Sequence, residues 1–459
     1  MAALMRADGI IGLDPSRLLP ESAAERQALY AAGEASLSAR KMLRLSGGEA
    51  QLEENVLRER VTTDIATKGG QYDVMTIGTY EVPIWAKQNW LLPLDNLGAD
   101  YDVDDLLPAI RAGLTVDGKL YAAPFYGESS FIMYRTDLME KAGLKMPDAP
   151  TWEFVADAAR KMTDRAADIN GICLRGKAGW GENMAFLTAT SNSFGARWFD
   201  ENWKPQFDQP EWKATLDYYL SLMADAGPPG ASSNGFNENL ALFNSGKCGM
   251  WIDATVAASF VTGKDSTVAD KVGFALAPDN GLGKRGNWLW AWSLAVPAGT
   301  QKADAAEKFI AWATSKDYLN LVASKEGWAN VPPGTRSSLY ANPEYQKAAP
   351  FAKMTLDSIN AADPTKPTVK PVPYTGVQFV AIPEFQGLGT TVGQLFSAAL
   401  AGTMTVDDAL KQAQGRLVDP QDLFGRQHGA VHGCPPGECR SAHELDGRDL
   451  PRAEGEAVW

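Results

Sequence analysis

An α/β fold is what the sequence predicts, and three observations lead there. Short apolar runs bounded by turn formers, such as 72–77 (YDVMTI) and 248–252 (CGMWI), read as buried strands. They alternate with amphipathic helical segments. The clearest is 210–227, where Trp212, Leu216, Tyr219, Leu220 and Met223 share a face and Gly227 stops the helix. The chain has 459 residues, more than one hydrophobic core usually serves, so two domains are expected.

In chain order, Val56, Leu57, Val61 and Ile65 recur at helical spacing, and Gly69-Gly70 ends that helix. The strand at 72–77 runs into a Gly-Thr-Tyr-Glu loop, and 82–94 (VPIWAKQNWLLPL) reads as a helix. The stretch 121–137 (YAAPFYGESSFIMYRTD) begins as a strand ending in Pro124. Gly127-Glu128-Ser129-Ser130 interrupts it, and Phe131 to Tyr134 restore the apolar run. Two readings are open: an extended crossing between two lobes, or one buried strand with a bulge at Gly127. Beyond it, Thr151 is placed to cap a helix whose buried face is Phe154, Val155, Ala158, Ala159 and Met162. Segment 171–176 (GICLRG) reads as a strand, and 177–190 as a glycine-rich loop entering a helix. A helix near 237–244, a Gly-Lys turn and strands at 248–252 and 272–278 follow. Trp288, Trp290 and Trp292 alternate, so in a strand they share one face. A helix at 304–315 comes next. Two helices close the body, with Gly402 between them and a capping-box-like start at Thr405 and Asp408.

Composition excludes several functions. The formal net charge of −13 argues against a nucleic-acid backbone or an anionic membrane surface as partner. No apolar run approaches the roughly eighteen residues of a membrane span. The N-terminal residues have acids and prolines where a signal peptide keeps an unbroken apolar stretch. All three histidines (His428, His432, His443) fall in the last stretch with Cys434 and Cys439. Residues 1–427 therefore offer no Ser-His or Cys-His catalysis and no histidine-bound metal. The late His/Cys group has zinc-ligand types at a spacing that matches no common finger, and no metal or cofactor is expected. Fourteen tryptophans without a catalytic histidine favour binding over chemistry, because apolar sugar faces stack on aromatic rings; the alternative is that they fill cores.

The body, about 52–414, resembles the extracellular solute-binding proteins of sugar ABC importers. The resemblance rests on YDVMTIGTY, DGKLYAAPFYGESSFIMYRTDLMEKAG, FNSGKCGMWIDATVA, AEKFIAWATSKD and TVDDALKQAQ, in that order. GTYEVPIWAKQNWL and GWGENMAF look closest to the sorbitol/mannitol branch. It implies a two-lobed, type II periplasmic-binding-protein-like α/β fold with a hinge and an interlobe cleft. The first lobe would be 52–126 with 279–318, and the second 127–278 with 319–414. The implied function is capture of a polyol or related monosaccharide for the permease subunits of an ABC importer, by a periplasmic monomer without catalysis. Residues 1–51 lack the family's opening strand, and 415–459 show no apolar period. Both are expected to pack poorly, the tail as a disordered segment, and to reflect a different reading frame or a mis-assigned start at each end; the alternative is a genuine divergent extension.

A polyol site needs carboxylates and amides that pair with hydroxyls, and rings that cover CH groups. Glu128, at the crossing, stands where the family places a ligand-binding acid; otherwise it is a solvated hinge charge. Tyr80 and Glu81 follow the first strand and are candidates, or else a helix N-terminus with a favourable acid. Trp180 and Asn183 lie in the glycine-rich loop. Asp253 ends its strand, as ligand or as a helix cap. Of the alternating tryptophans at most two can line a cleft, and Trp288 with Asn287 is the choice. Cys173 and Cys248 flank the second-lobe strands, as a disulfide or as two buried thiols. The rival function is a carbohydrate hydrolase pairing Glu128 with Asp253. A further rival is a damaged product, unable to close without its first strand.

Overall fold

The computed structural model describes residues 54–417; the expectations for 1–51 and for the His/Cys tail lie outside these residues. Helices are α1 Glu54–Thr67, α2 Glu81–Lys87, α3 Pro108–Gly113, α4 Thr136–Lys141, α5 Trp152–Met162, α6 Asn183–Ser193, α7 Pro210–Ala226, α8 Phe236–Asn244, α9 Ala257–Val261, α10 Ala303–Ala313, α11 Lys316–Glu326, α12 Ser337–Ala341, α13 Pro343–Ala348, α14 Ala352–Ala361, α15 Phe385–Leu400 and α16 Val406–Arg416. Strands are β1 Met75–Gly78, β2 Leu91–Leu92, β3 Thr115–Val116, β4 Lys119–Leu120, β5 Ala122–Glu128, β6 Ser130–Arg135, β7 Met250–Ala254, β8 Val272–Leu276 and β9 Trp290–Pro297.

Two sheets organise the molecule, each the centre of one lobe. In the first, β9 pairs antiparallel with β1, β2 and β5. In the second, β6 lies between β7 and β8, again antiparallel. The stretch 121–137 is divided between them: β5 ends at Glu128 in the first sheet and β6 begins at Ser130 in the second. This is the crossing, not one continuous strand. A register shift does occur, but between Pro124 and Tyr126 rather than at Gly127.

Ser129, fully buried at the crossing, ties three passages of chain together. Its hydroxyl donates to the Trp288 carbonyl (2.6 Å) and accepts from Asn287 Nδ2 (3.3 Å). Asn287 Nδ2 also donates to the Ser358 carbonyl (2.9 Å), on α14, which packs on β6 and β8. Beside this knot, Gly127 N donates to the Pro333 carbonyl at 2.9 Å. Gly127 and Gly334 touch backbone to backbone. A Cβ on either would overlap the other's carbonyl group, and Gly334 has φ +70°.

Most expected elements form. Leu57, Val61 and Ile65 are buried on α1, and Thr151 Oγ1 accepts from Phe154 N (3.2 Å) to cap α5. Phe154 itself is only half-buried, and Trp152 takes the core position. Thr405 Oγ1 accepts from Asp408 N (3.1 Å) at the start of α16. Three segments differ. The helix expected over 82–94 stops at Lys87, because Asn89 turns with φ +54° and Leu91-Leu92 then pair with Pro297 and Val296 of β9. GICLRG is extended and buried but joins β7 only through isolated parallel bridges, Asn170 to Cys248 and Cys173 to Trp251. The last helix runs past Gln414 to Arg416, and Leu417 is buried.

Candidate functional site

A cavity of about 390 Å³ is lined by residues of both lobes, within the ~300–1,000 Å³ typical of small-ligand sites. Strand alternation builds its first-lobe wall. In the β5–β9 ladder Tyr126 faces Trp292 and Glu128 faces Trp290, so four lining side chains come from alternate positions of two neighbours. Gly78 of β1 stands opposite Trp292, and a Cβ there would overlap the Trp290 ring. The glycine is what lets that indole lie flat beside the cavity.

Arg58 of α1 completes this wall. Its guanidinium carbon lies 4.3 Å from the Trp180 ring centre, 4.6 Å from Trp292 and 5.1 Å from Trp290. Arg58 Nη1 donates to Glu81 Oε1 at 2.5 Å, while Glu81 Oε2 accepts from Gly78 N at 2.9 Å. Glu81 is therefore the acid at the start of α2 and, being buried, the anchor of Arg58.

The second-lobe wall is centred on Arg175. Arg175 and Asp253 end adjacent extended segments, already brought together by the Cys173–Trp251 bridge. Arg175 Nε and Nη2 donate to Asp253 Oδ2 (2.9 Å) and Oδ1 (2.7 Å), a two-pronged pair. Nη1 reaches Glu182 Oε2 at 3.4 Å. Asp253 also accepts from Trp251 Nε1 (3.1 Å) and Ala254 N (2.7 Å). Tyr219 donates to the Arg175 carbonyl (2.9 Å), and burial holds that phenol protonated far above its ordinary range. Phe236 and Trp288 flank the guanidinium at 5.4 and 5.7 Å.

Among the sequence-derived candidates, Glu128, Trp180 and Trp288 line the cavity. Glu128 is 6 % exposed, so it is not a solvated hinge charge. The other candidates stand behind the lining. Tyr80 turns its hydroxyl to the carbonyls of Ile382 (2.8 Å) and Pro383 (3.2 Å). Asn183 bonds Gly179 N and the Gly393 carbonyl, joining α6 to α15. Asp253 is fully buried against Arg175 and caps no helix: the residue that precedes α9, Val256, holds the cap position and no side chain bonds there. Asn287 belongs to the crossing knot. The limit of two lining tryptophans also fails, since Trp288, Trp290 and Trp292 all reach the cavity. With Asp253 bound to Arg175, no Glu128–Asp253 carboxylate pair faces a substrate. Cys173 and Cys248 form a disulfide, with Cα atoms 5.9 Å apart.

Sequence reasoning missed Arg58, Arg175, Tyr126, Lys177, Glu182, Glu238, Phe236, Trp290, Trp292 and Gln378 of the lining. A signal existed for Arg175. It closes an apolar run, as Asp253 closes another, and opposite charges ending two buried extended segments call for each other.

The chain matches the bacterial extracellular solute-binding proteins over residues 49–319. It is 58 % identical over 364 residues to a mannitol-binding protein of Pseudomonas aeruginosa, covering 79 % of this chain and 83 % of that one. An ABC transporter solute-binding protein of Agrobacterium vitis S4, solved with bound D-mannitol, is 72 % identical. It superposes with a TM-score of 0.81 over 84 % of this chain and 96 % of its own. At 23 % identity, a solute-binding protein of Agrobacterium radiobacter K84 in complex with ribitol superposes with a TM-score of 0.71, over 84 % of this chain and 95 % of its own; that likeness shows the fold.

The protein belongs to the bacterial extracellular solute-binding family, with the two-lobed type II fold and sequence resemblance to its polyol branch. It is accordingly a binding component and not an enzyme.

Proposed function

We propose that this protein captures an acyclic hexitol, D-mannitol or its close relative D-sorbitol, in the cavity between its lobes. It then delivers the ligand to the permease subunits of an ABC importer, working as a periplasmic monomer with no nucleic-acid partner. The lobes are taken as 52–126 with 279–318 and 127–278 with 319–414. One observation carries the reading: a small-ligand cavity lined by indole rings interleaved with charged hydrogen-bonding groups, in a chain 72 % identical to a D-mannitol-bound protein.

The chemistry fits. Arg58 and Arg175 offer planar N–H pairs to hydroxyl oxygens, and Glu128 accepts hydroxyl protons. Trp180, Trp288, Trp290 and Trp292 cover the CH groups. Glu81 and Asp253 keep the two arginines aimed, and Tyr80, Asn183 and Asn287 support the frame. Carboxylates and guanidinium groups both face the cavity, as suits a ligand whose every carbon carries a hydroxyl that donates and accepts.

The test is a thermal-shift screen against D-mannitol, D-sorbitol, D-arabitol, xylitol, ribitol and common hexoses, followed by calorimetry. A bound ligand raises the midpoint by mass action. D-mannitol or D-sorbitol should give the largest rise, and Glu128→Gln should weaken its binding by about tenfold or more with little change in ligand-free stability. A protein that responds to hexoses and not to hexitols would overturn the reading.

A further inference from the structure

Tyr80 does not line the cavity, yet it joins the two lobes. It follows β1 and caps α2, both packed with the first sheet. Its hydroxyl and ring partners, Ile382, Pro383, Trp180, Phe379 and Phe385, belong to the other lobe. Its hydroxyl reaches the carbonyls of Ile382 and Pro383, which lie just before α15. The segment ahead of α15 is held to the second lobe by Asn192 Nδ2, which donates to the Val377 carbonyl (2.7 Å), and by Trp198, whose ring sits 4.9 Å from Phe385. The Tyr80 ring lies 4.9 Å from Trp180 and 5.4 Å from Phe379.

We infer that Tyr80 is an affinity-setting positioning residue: a clasp that closes the lobes over the ligand by gripping Trp180 and the 382–383 backbone, without touching the ligand. Trp180 has two faces in this arrangement. One side lines the cavity, and the other meets Tyr80 and Arg58 of the first lobe. A ligand that seats Trp180 therefore also seats the clasp. The clasp holds only when the lobes are together, so it favours the closed form whatever the ligand, and release requires breaking it. Burial and the neighbouring Glu81 charge keep the phenol protonated, so it remains a donor across the physiological range.

The inference rests on the hexitol reading, and the experiment separates the two. Tyr80→Phe and Tyr80→Leu are compared with the unaltered protein by stopped-flow tryptophan fluorescence, using D-mannitol, D-sorbitol and ribitol as probes. Tyr80→Phe should dissociate about fivefold faster and bind about fivefold more weakly, with little change in association rate. The ratios among the three ligands should stay fixed, since the residue touches none of them. An unchanged dissociation rate, or altered ratios, overturns the clasp.

Small-angle X-ray scattering of the ligand-free proteins supplies an arm that needs no ligand. Tyr80→Leu should have the larger radius of gyration, and an identical radius overturns the clasp. If no polyol binds the unaltered protein, the hexitol reading fails while scattering still decides the clasp. If the leucine variant does not fold, Tyr80→Phe, which keeps the ring packing, carries the scattering comparison.

Discussion

Each wall of the cavity presents an arginine braced by a buried carboxylate, and the two walls brace it differently. On the second lobe, Arg175 is gripped on two edges by Asp253, approached by Glu182 and backed by Tyr219, all from its own lobe. On the first lobe, Arg58 meets Glu81 through one nitrogen and is sandwiched among three indoles, one of which, Trp180, comes from the opposite lobe. The polar bracing of the second wall is therefore internal to its lobe, although Trp288 reaches Arg175 from the other side. The first is completed by closure. A binding protein gains from this division: a rigid half orients the ligand, and an adaptable half responds to it.

Removing Asp253 should do the most damage. Asp253→Ala leaves Arg175 buried without its two-pronged partner, a change that costs about 3–5 kcal/mol in comparable sites. Urea unfolding should show that loss, and calorimetry should show no hexitol binding. A variant of near-native stability would mean that Glu182 alone braces Arg175 and that the second wall is less rigid than its geometry indicates.

Reducing the Cys173–Cys248 disulfide sharpens the contrast next. It closes a 75-residue separation inside the second lobe, and disulfides typically contribute about 2–4 kcal/mol. The thermal midpoint should fall in dithiothreitol. Hydrogen exchange should rise in the strands around Cys173 and Met250 while β1 and β9 keep their protection. Uniform loss across both sheets would show that the lobes unfold as one unit and that the comparison cannot be made by stability.

Glu81→Gln should have the smallest effect. It keeps one acceptor, for Gly78 N, and sets an amide NH2 rather than an oxygen against Arg58, which the indoles still hold. Stability should drop by about 1–1.5 kcal/mol, and hexitol affinity should fall several-fold, both less than for Asp253→Ala. Equal losses in the two variants would erase the distinction between the walls.

Much of this was legible in the sequence because it is local. Alternation placed three tryptophans on one face. The Gly-Glu-Ser-Ser break marked the passage between sheets, and Thr151 and Thr405 announced helix starts. What escaped depends on contacts between distant segments. Arg58 sits on the edge of its helix's apolar face, beside Val61 and Ile65, and only the fold brings Trp180 and Trp292 to it. Tyr80 and Asp253 read as ligand-binding in the sequence yet stand behind the lining, because proximity to a strand end does not say whether a side chain turns to the cavity or away from it. Leu91-Leu92 read as helix because an apolar pair has no period of its own, and β9 decides its state.

The contact between Gly127 and Gly334 has a mechanical consequence. Two passages of chain meet there with nothing projecting from either, and they seat on one another as a knife edge seats on its plate. A methyl group at either point would act as a shim. It would not need to reach the cavity to matter, because a fraction of an ångström at the fulcrum becomes a wide gap at the rim.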